Sequence, residues 1–308
     1  MSVLTGAAQE YLAMRRSVGY ALRHEDRMLA QFVGYCEHRG ITRITTEAAL
    51  GWATEPAHAS PSWWARRLAV IRGFAAYLKT VEQDTEVPPQ GLLSRRACRR
   101  TPYLFSPAEI TALMTTARGL AHPLRAASFE ALIGLMAITG LRTGEAMALD
   151  RADVDLNAGM LTIWRSKLGK SRQVPLHETT TAALATYAAR RDQLYPGPAT
   201  CSFFLSGGGT RLNHTNTSTT FAGLLHDAGI TTPPGWRRPR LYDLRHSFAV
   251  ATLINWHADG ADVQSRLPVL STWMGHVKPS TTYWYLQAAP ELLAVTALRL
   301  EHYLQGQP

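Results

Sequence analysis

The first 90 residues carry apolar side chains at intervals of three and four, the spacing of a helix with one buried face. The apolar positions of the first two predicted helices are Tyr11, Met14, Val18 and Leu22, followed by Met28, Phe32 and Tyr35. A short helix is expected over 47–53, and a longer one over 62–79 has Trp63 and Trp64 on its apolar side. The pattern therefore predicts an all-helical domain over 1–90.

A stretch from 91 to 105 separates this region from the rest of the chain. It holds four arginines within six positions, namely Arg95, Arg96, Arg99 and Arg100. A linker is the simplest interpretation of the segment. The alternative is an arm that lies along a phosphate backbone, and it explains why the arginines are there.

A second domain is expected from 106 to 308. Ser106-Pro107-Ala108-Glu109 has the pattern of a capping box with proline at the first helical position. Apolar residues alternate between 153 and 176, which predicts a small antiparallel sheet. Helices are predicted over 123–139, 178–193, 217–228, 242–256, 262–273 and 290–304. The predicted fold class is thus mainly α: a helical N-terminal domain and a mostly helical, mixed α/β second domain with a small antiparallel sheet.

Positive charge is in excess along the whole chain. Lysine and arginine outnumber aspartate and glutamate by 32 to 23, which gives a formal charge of +9 and a pI near 9.7. Such a balance favours a polyanionic partner, either nucleic acid or a membrane surface. Nearly all of the cations are arginines, whose planar forks suit phosphate. A genome rich in G and C explains the same excess, and composition does not decide between these explanations.

The three cysteines, Cys36, Cys98 and Cys201, lie far apart and have no Cys-x-x-Cys or Cys/His spacing. This pattern favours neither a disulfide framework nor a zinc site. The N-terminus has no signal-peptide pattern, and the longest apolar stretch, 131–141, is too short to cross a bilayer. We therefore expect a soluble cytoplasmic protein with no metal and no membrane partner.

Four short polar stretches stand at predicted helix ends and turns. They are TGLRTGE at 139–145, SKLGKSRQVPL at 166–176, LYDLRHSFA at 241–249, and MGH at 274–276 followed nine residues later by Tyr285. Each alone has a structural explanation, such as a helix cap or a salt bridge. In this order and spacing they resemble the tyrosine recombinases, the phage-integrase family. The resemblance covers 106–304, and a helical domain of the right size precedes it.

The resemblance assigns chemical roles to the matching residues. Arg142 and Arg245 match the two catalytic arginines, which would fork the non-bridging oxygens of a DNA phosphate. Glu145 matches the acidic residue that orients the first arginine. Lys167 matches the general acid on the hairpin, which protonates the leaving 5′-oxygen.

The remaining matches concern the nucleophile and the histidines. Tyr285 matches the nucleophile, and its spacing from His276 favours it over Tyr283. His276 matches the histidine that hydrogen-bonds the phosphate or assists proton transfer. Tyr242 stands where many members have histidine, and a phenol is a poor base at neutral pH. If the reaction needs a base, His276 is the better candidate.

The resemblance implies a site-specific DNA recombinase, an integrase or transposase, that cleaves and rejoins duplex DNA through a 3′-phosphotyrosine without metal, ATP or other cofactor. Residues 1–90 would be a helical, SAM-like core-binding domain on DNA, 91–105 the linker, and 106–308 the catalytic domain. The expected DNA-binding residues are Arg66, Arg67, Arg95, Arg96, Arg99, Arg100, Lys170 and Arg172. Partners would be double-stranded DNA on the bacterial nucleoid and other copies of the chain, two per site and four in a synapse.

Several alternatives stay open. The stretch after Ala251 is similar to recombinases that transposon-like elements carry as adjacent genes, so sister recombinases could act together with this chain. A chromosome-dimer-resolving recombinase has the same chemistry with another DNA site. A type IB topoisomerase shares the chemistry without synapsis, and an accessory DNA-binding factor would keep the fold without catalysis. The helix predicted over 291–304 either packs on its own chain or docks on a neighbouring protomer.

Overall fold

The computed structural model describes residues 2–20, 22, 24–94, 101–164, 171–197, 199–232, 235–276, 282, 283 and 285. The chain divides into two compact units, 1–100 and 101–308. The arginines at 95–100, Lys167 and Lys170 of the predicted hairpin, and the helix predicted over 290–304 lie outside the described residues.

The first unit is helical in its described part. Its helices are α1 (Val3–Ser17), α2 (Glu25–His38), α3 (Thr46–Thr54) and α4 (Pro61–Leu78). The side chains of Ser2, Thr45 and Ser60 accept backbone hydrogen bonds at the starts of α1, α3 and α4, as helix N-caps do. The aromatic core side chains of this unit are Phe32, Trp52 and Phe74.

The buried face of α1 differs from the predicted one. Leu4 and Ala8 are its buried residues, whereas Met14 is 41% and Val18 63% exposed. The helix ends at Ser17, so Val18 no longer shares a helical face with the residues before it. Spacing alone allowed either face, and packing against the neighbouring helices selects the one that begins at Leu4. Trp63, expected on the apolar side of α4, is also exposed.

The second unit is mostly helical with a three-stranded antiparallel sheet in the order β1-β2-β3. Its elements are α5 (Pro107–Arg118), α6 (Pro123–Thr139), α7 (Thr143–Ala148), β1 (Val154–Asp155), β2 (Met160–Ile163), β3 (Arg172–Pro175), α8 (Glu178–Leu194), α9 (His214–Asp227), α10 (Asp243–Ala258) and α11 (Val263–Trp273). The predicted fold class is confirmed. No helix of the described parts is both long and apolar enough to cross a membrane.

Helix α6 lies at the centre of the second unit and packs against α5, α8 and α10. It ends at Gly140, whose φ of +62° is the left-handed conformation common after a helix. A Cβ atom here would lie 2.3 Å from Cδ1 of Phe248, so the position needs glycine for space as well. The predicted capping box of Ser106 and Glu109 forms at the start of α5. The end of α6 and the sheet edge at Arg172 position the candidate site.

Candidate active site

Arg142 connects the end of α6 to the start of α7. It occupies the N-cap position of α7 with extended backbone, and its backbone N–H donates to Oε2 of Glu145 at 3.1 Å. The Arg142 guanidinium donates from Nη1 to Oε1 of Glu145 at 2.5 Å and from Nη2 to the carbonyl of Gly275 at 2.7 Å. Residues more than a hundred positions apart in sequence therefore fix this side chain.

Glu145 binds a second arginine, Arg172 at the start of β3. The Arg172 guanidinium donates from Nη2 to Oε2 of Glu145 at 2.8 Å and from Nη1 to Oε1 at 3.2 Å. Burial of Glu145 opposes its ionisation, but hydrogen bonds and charge from Arg172, and then from Arg142, outweigh it and hold the pKa of Glu145 below its usual value. The carboxylate is thus ionised at neutral pH.

Arg172, for which the sequence predicts a DNA contact, has a side chain that is only 10% exposed. In addition to its bonds with Glu145, its Nε donates to the carbonyl of Trp273 at 2.8 Å. The guanidinium is therefore held inside the protein, where it connects β3 to α7 and to the end of α11.

Arg245 lies in the first turn of α10 and is fully buried. Its Nη1 donates to the carbonyl of Gly140 at 2.6 Å, and its Nη2 donates to the carbonyl of Met274 at 2.6 Å and to Nε2 of His276 at 2.9 Å. Its Nε is buried without a hydrogen-bond partner among the described residues. The turn at 274–276 therefore contacts both Arg142 and Arg245.

His276 is neutral, and its hydrogen bonds assign the tautomer. Nε2 accepts from Arg245, so Nδ1 carries the proton, which it donates to Oγ1 of Thr282 at 2.8 Å. Burial, followed by the charge of Arg245, lowers the pKa of His276 to about 3. Its ring is nearly parallel to that of Tyr285, with 6.2 Å between centroids.

Tyr285 lies close enough to Arg245 and Arg142 for their charges to act on its hydroxyl. The hydroxyl oxygen is 3.2 Å from Nδ1 of His246. Burial, opposed by the charge of Arg245, raises the pKa of Tyr285 to about 12. The neighbouring Tyr283 is 48% exposed. Of the two tyrosines that the sequence offered, Tyr285 is the one that contacts the buried site.

Tyr242 precedes α10 and packs edge-on against His246, with 5.1 Å between ring centroids. It also lines a cleft of about 650 Å³ together with Arg142, His214, Arg238 and Arg240. The cleft thus has basic side chains along its wall and leads to the first arginine.

The two predicted DNA-binding arginines on α4 differ in environment. Arg66 is half exposed, and its Nη2 lies 3.4 Å from Oε1 of Glu25. Arg67 is buried, donates to the carbonyl of Trp52 at 2.6 Å and stacks on the Trp52 ring at 3.8 Å. The structure therefore gives Arg67 a role in the packing of the first unit, and its contact with DNA stays a prediction.

The sequence analysis does not single out His246, nor does it predict the contact between Arg172 and Glu145. For His246 a signal was available, because a residue three positions after Asp243 lies on the same side of a helix. For Arg172 the sequence carried no local signal, since its partners Glu145 and Trp273 are distant in sequence. Within the described parts of the chain, no group of three or more His, Cys, Asp or Glu side chains could hold a metal ion.

Comparison with known proteins adds a family to this geometry. Residues 104–291 match the phage integrase family. The chain is 41% identical over 307 residues to the putative integrase/recombinase y4rB of Sinorhizobium fredii, which covers 98% of each chain. It is 30% identical over 251 residues to the tyrosine recombinase XerD of Bradyrhizobium diazoefficiens, covering 74% of this chain and 72% of that one.

Solved structures show the same fold. The XerH site-specific recombinase bound to difH substrate aligns with a TM-score of 0.66 and 19% identity, over 89% of this chain and 78% of that chain. The Tn1549 transposon integrase aligns with a TM-score of 0.65 and 16% identity, over 96% and 99%. The chain belongs to the phage integrase family and is thus a recombinase of the tyrosine class.

Proposed function

We propose that the protein cleaves and rejoins duplex DNA through a covalent bond between Tyr285 and a 3′-phosphate. The observation that carries this proposal is a cluster of three little-exposed guanidiniums, those of Arg142, Arg172 and Arg245. The charges of two of them, Arg245 and Arg142, act on the buried hydroxyl of Tyr285. Glu145 binds two of these guanidiniums, so the cluster keeps positive charge. Excess positive charge in a poorly solvated site favours an anionic substrate such as a phosphodiester.

The anchoring of Arg245 leaves donors for that phosphate. A guanidinium has five N–H donors, and Arg245 directs three hydrogen bonds to Gly140, Met274 and His276. Its buried Nε is among the donors that remain. Donors held in place before the reaction stabilise the charge that develops on the non-bridging oxygens without a cost of reorganisation.

The reaction that we propose retains the energy of the broken bond. The Tyr285 oxygen attacks phosphorus, the bond from phosphorus to the 5′-oxygen breaks, and Lys167 donates a proton to that oxygen. A 5′-hydroxyl of a second DNA strand then attacks the phosphotyrosine and releases the tyrosine. Because the ester bond is exchanged rather than hydrolysed, this sequence of steps needs neither ATP nor a metal ion.

Duplex DNA as the partner is supported by the net charge of +9 and by the relatives. XerH and the Tn1549 integrase have been solved with DNA. We propose that residues 1–90 and the arginines at 95–100 grip the backbone, and that two protomers bind each site and four form the synapse. An origin from a transposon-like element, with sister recombinases, stays a prediction.

A trapping experiment tests this proposal. Duplexes that bind the protein are selected from a random-sequence library and rebuilt with a nick, so that the released fragment diffuses away and the covalent intermediate accumulates. We expect an adduct that survives denaturation, and mass spectrometry should locate it at Tyr285. Tyr285→Phe should abolish it and the matched control Tyr283→Phe should not.

Three results would contradict the proposal. An adduct that maps to Tyr283 would show that Tyr283, and not Tyr285, is the nucleophile. Tight binding of the selected duplexes without any adduct would favour the accessory DNA-binding factor. Relaxation of supercoiled plasmid without a preferred site would instead indicate a topoisomerase.

A further inference from the structure

We propose that His246 accepts the hydroxyl proton of Tyr285 when the tyrosine attacks, and that Asp243 supports His246 from the opposite side of its ring. The inference rests on the function proposed above, since it requires Tyr285 to be the nucleophile. Nδ1 of His246 lies 3.2 Å from the Tyr285 hydroxyl oxygen, and Nε2 lies 4.0 Å from Oδ1 of Asp243. The His246 side chain is 12% exposed and that of Asp243 is fully buried.

The first turn of α10 and the loop before it build this arrangement. Asp243 and His246 are three residues apart and so lie on one side of the helix. Asp243 is held by Nη2 of Arg237 at 2.7 Å and by the backbone N–H of Arg240 at 2.8 Å. The ring of Tyr242 packs edge-on against His246 and limits its rotation. The imidazole is thus positioned before any substrate binds.

Protonation states fit the proposed direction of the hydrogen bond. Burial, followed by the charges of Arg245 and Arg237, lowers the pKa of His246 to about 4, so the ring is neutral at neutral pH and Nδ1 can accept. Burial raises the pKa of Asp243 to about 6 against the charge of Arg237, which leaves Asp243 mostly ionised at neutral pH. The Tyr285 hydroxyl is protonated and therefore donates.

The other candidates for this role are occupied or chemically unsuited. Both ring nitrogens of His276 are bound, one by Arg245 and one by Thr282. Tyr242 has a phenol, which is a poor proton acceptor at neutral pH. His246 is the histidine whose ring nitrogen contacts the reacting oxygen in the described site.

The proton transfer balances with the bond changes of cleavage. As the bond from the Tyr285 oxygen to phosphorus forms, the hydroxyl proton moves to Nδ1 of His246, and the bond from phosphorus to the 5′-oxygen breaks. The imidazolium carries a charge that Arg245 and Arg237 oppose and that Asp243 offsets. In rejoining, His246 returns the proton to the departing tyrosine oxygen.

His246→Asn tests the proton transfer, because asparagine keeps a hydrogen-bonding group near Nδ1 but does not take up a proton. Rates of adduct formation on the nicked selected duplex are measured against pH. General bases contribute about 10²- to 10⁴-fold, so we expect a loss of that order at neutral pH. The rate of the variant should rise in proportion to hydroxide, since its tyrosine has to ionise first. The matched control His226→Asn, on an exposed side chain, should match the wild type.

Two substitutions of atoms distinguish proton acceptance from a structural role. Difluorotyrosine at position 285 has a more acidic hydroxyl than tyrosine. It should reduce the difference in the rate of adduct formation between His246→Asn and the wild type. In DNA with sulfur in place of the 5′-oxygen, the 5′-sulfur departs without needing a proton. This DNA should therefore not restore the rate of adduct formation of His246→Asn. Rescue by the sulfur-containing DNA, or a variant as fast as wild type, would overturn the inference while the Tyr285 adduct of the wild type persists. Absence of that wild-type adduct would instead overturn the proposed function, and with it this role.

Discussion

Gly275 lies in the turn that follows α11, next to the two arginines that bind Glu145. Its φ is +66°, and a Cβ atom there would lie 2.7 Å from Nη1 of Arg172 and 3.3 Å from Nη1 of Arg142. Gly275→Ala therefore strains the backbone and displaces the Arg172 guanidinium from Glu145. Gly229 offers a matched control, because its φ is +68° and nothing lies within 4 Å of its Cβ position.

The structure sets the size of both effects. A left-handed alanine costs about 1–2 kcal/mol, and both variants should lose that much of their free energy of unfolding. Gly275→Ala should lose a further ~1.5–3 kcal/mol, the value of a hydrogen bond between charged groups, because Arg172 shifts away from Glu145. Displacement of Arg172 also disturbs Glu145, the carboxylate that positions Arg142. Loss of one pre-positioned donor slows catalysis about 10²- to 10³-fold, so we expect Gly275→Ala to form the adduct at least about 100-fold more slowly.

Denaturant unfolding and trapping on the nicked duplex measure these two quantities. Gly229→Ala should be destabilised and yet form the adduct at nearly the wild-type rate, since its new methyl group contacts none of the arginines. Equal adduct rates for the two glycine variants would refute the reasoning, because they would show that the position of the guanidiniums does not limit cleavage.

Two further predictions follow from the buried arginines. Tyr242→Phe should slow cleavage far less than Arg245→Ala, because the ring that packs on His246 is retained whereas three hydrogen bonds of Arg245 are lost. Arg245→Lys, which keeps the charge, should remain slow in the same trapping assay. Equal losses of rate for Tyr242→Phe and Arg245→Ala would contradict this prediction. Arg67→Ala should lower the free energy of unfolding by about 2–3 kcal/mol, since an unmade buried hydrogen bond and a lost cation–π contact both contribute. Arg66→Ala should leave the free energy of unfolding unchanged and weaken DNA binding in a salt-dependent manner. An Arg67→Ala variant as stable as the wild type would refute the packing role.

The parts of the fold that could be predicted depend on residues close together in the sequence. The end of α6 at Gly140 and the capping box at Ser106 depend on residues within a few positions, and both form as expected. The buried face of α1 was wrong at Met14 because neighbouring helices, not spacing, decide which of two faces is covered. Long-range contacts were out of reach. Nothing near Arg172 in the sequence indicates its partner Glu145.

The way the arginines are anchored explains how the site keeps its charge. Arg245 donates to carbonyls that follow α6 and α11, Arg142 donates to Gly275, and Arg172 donates to Trp273. The last carbonyls of a helix lack intrahelical partners and carry partial negative charge, so they hold cations well. Carboxylates in the same places would also fix the guanidiniums, but each would cancel a full positive charge. Anchoring by carbonyls, with Glu145 as the shared carboxylate, positions the arginines and leaves their charge for a phosphate.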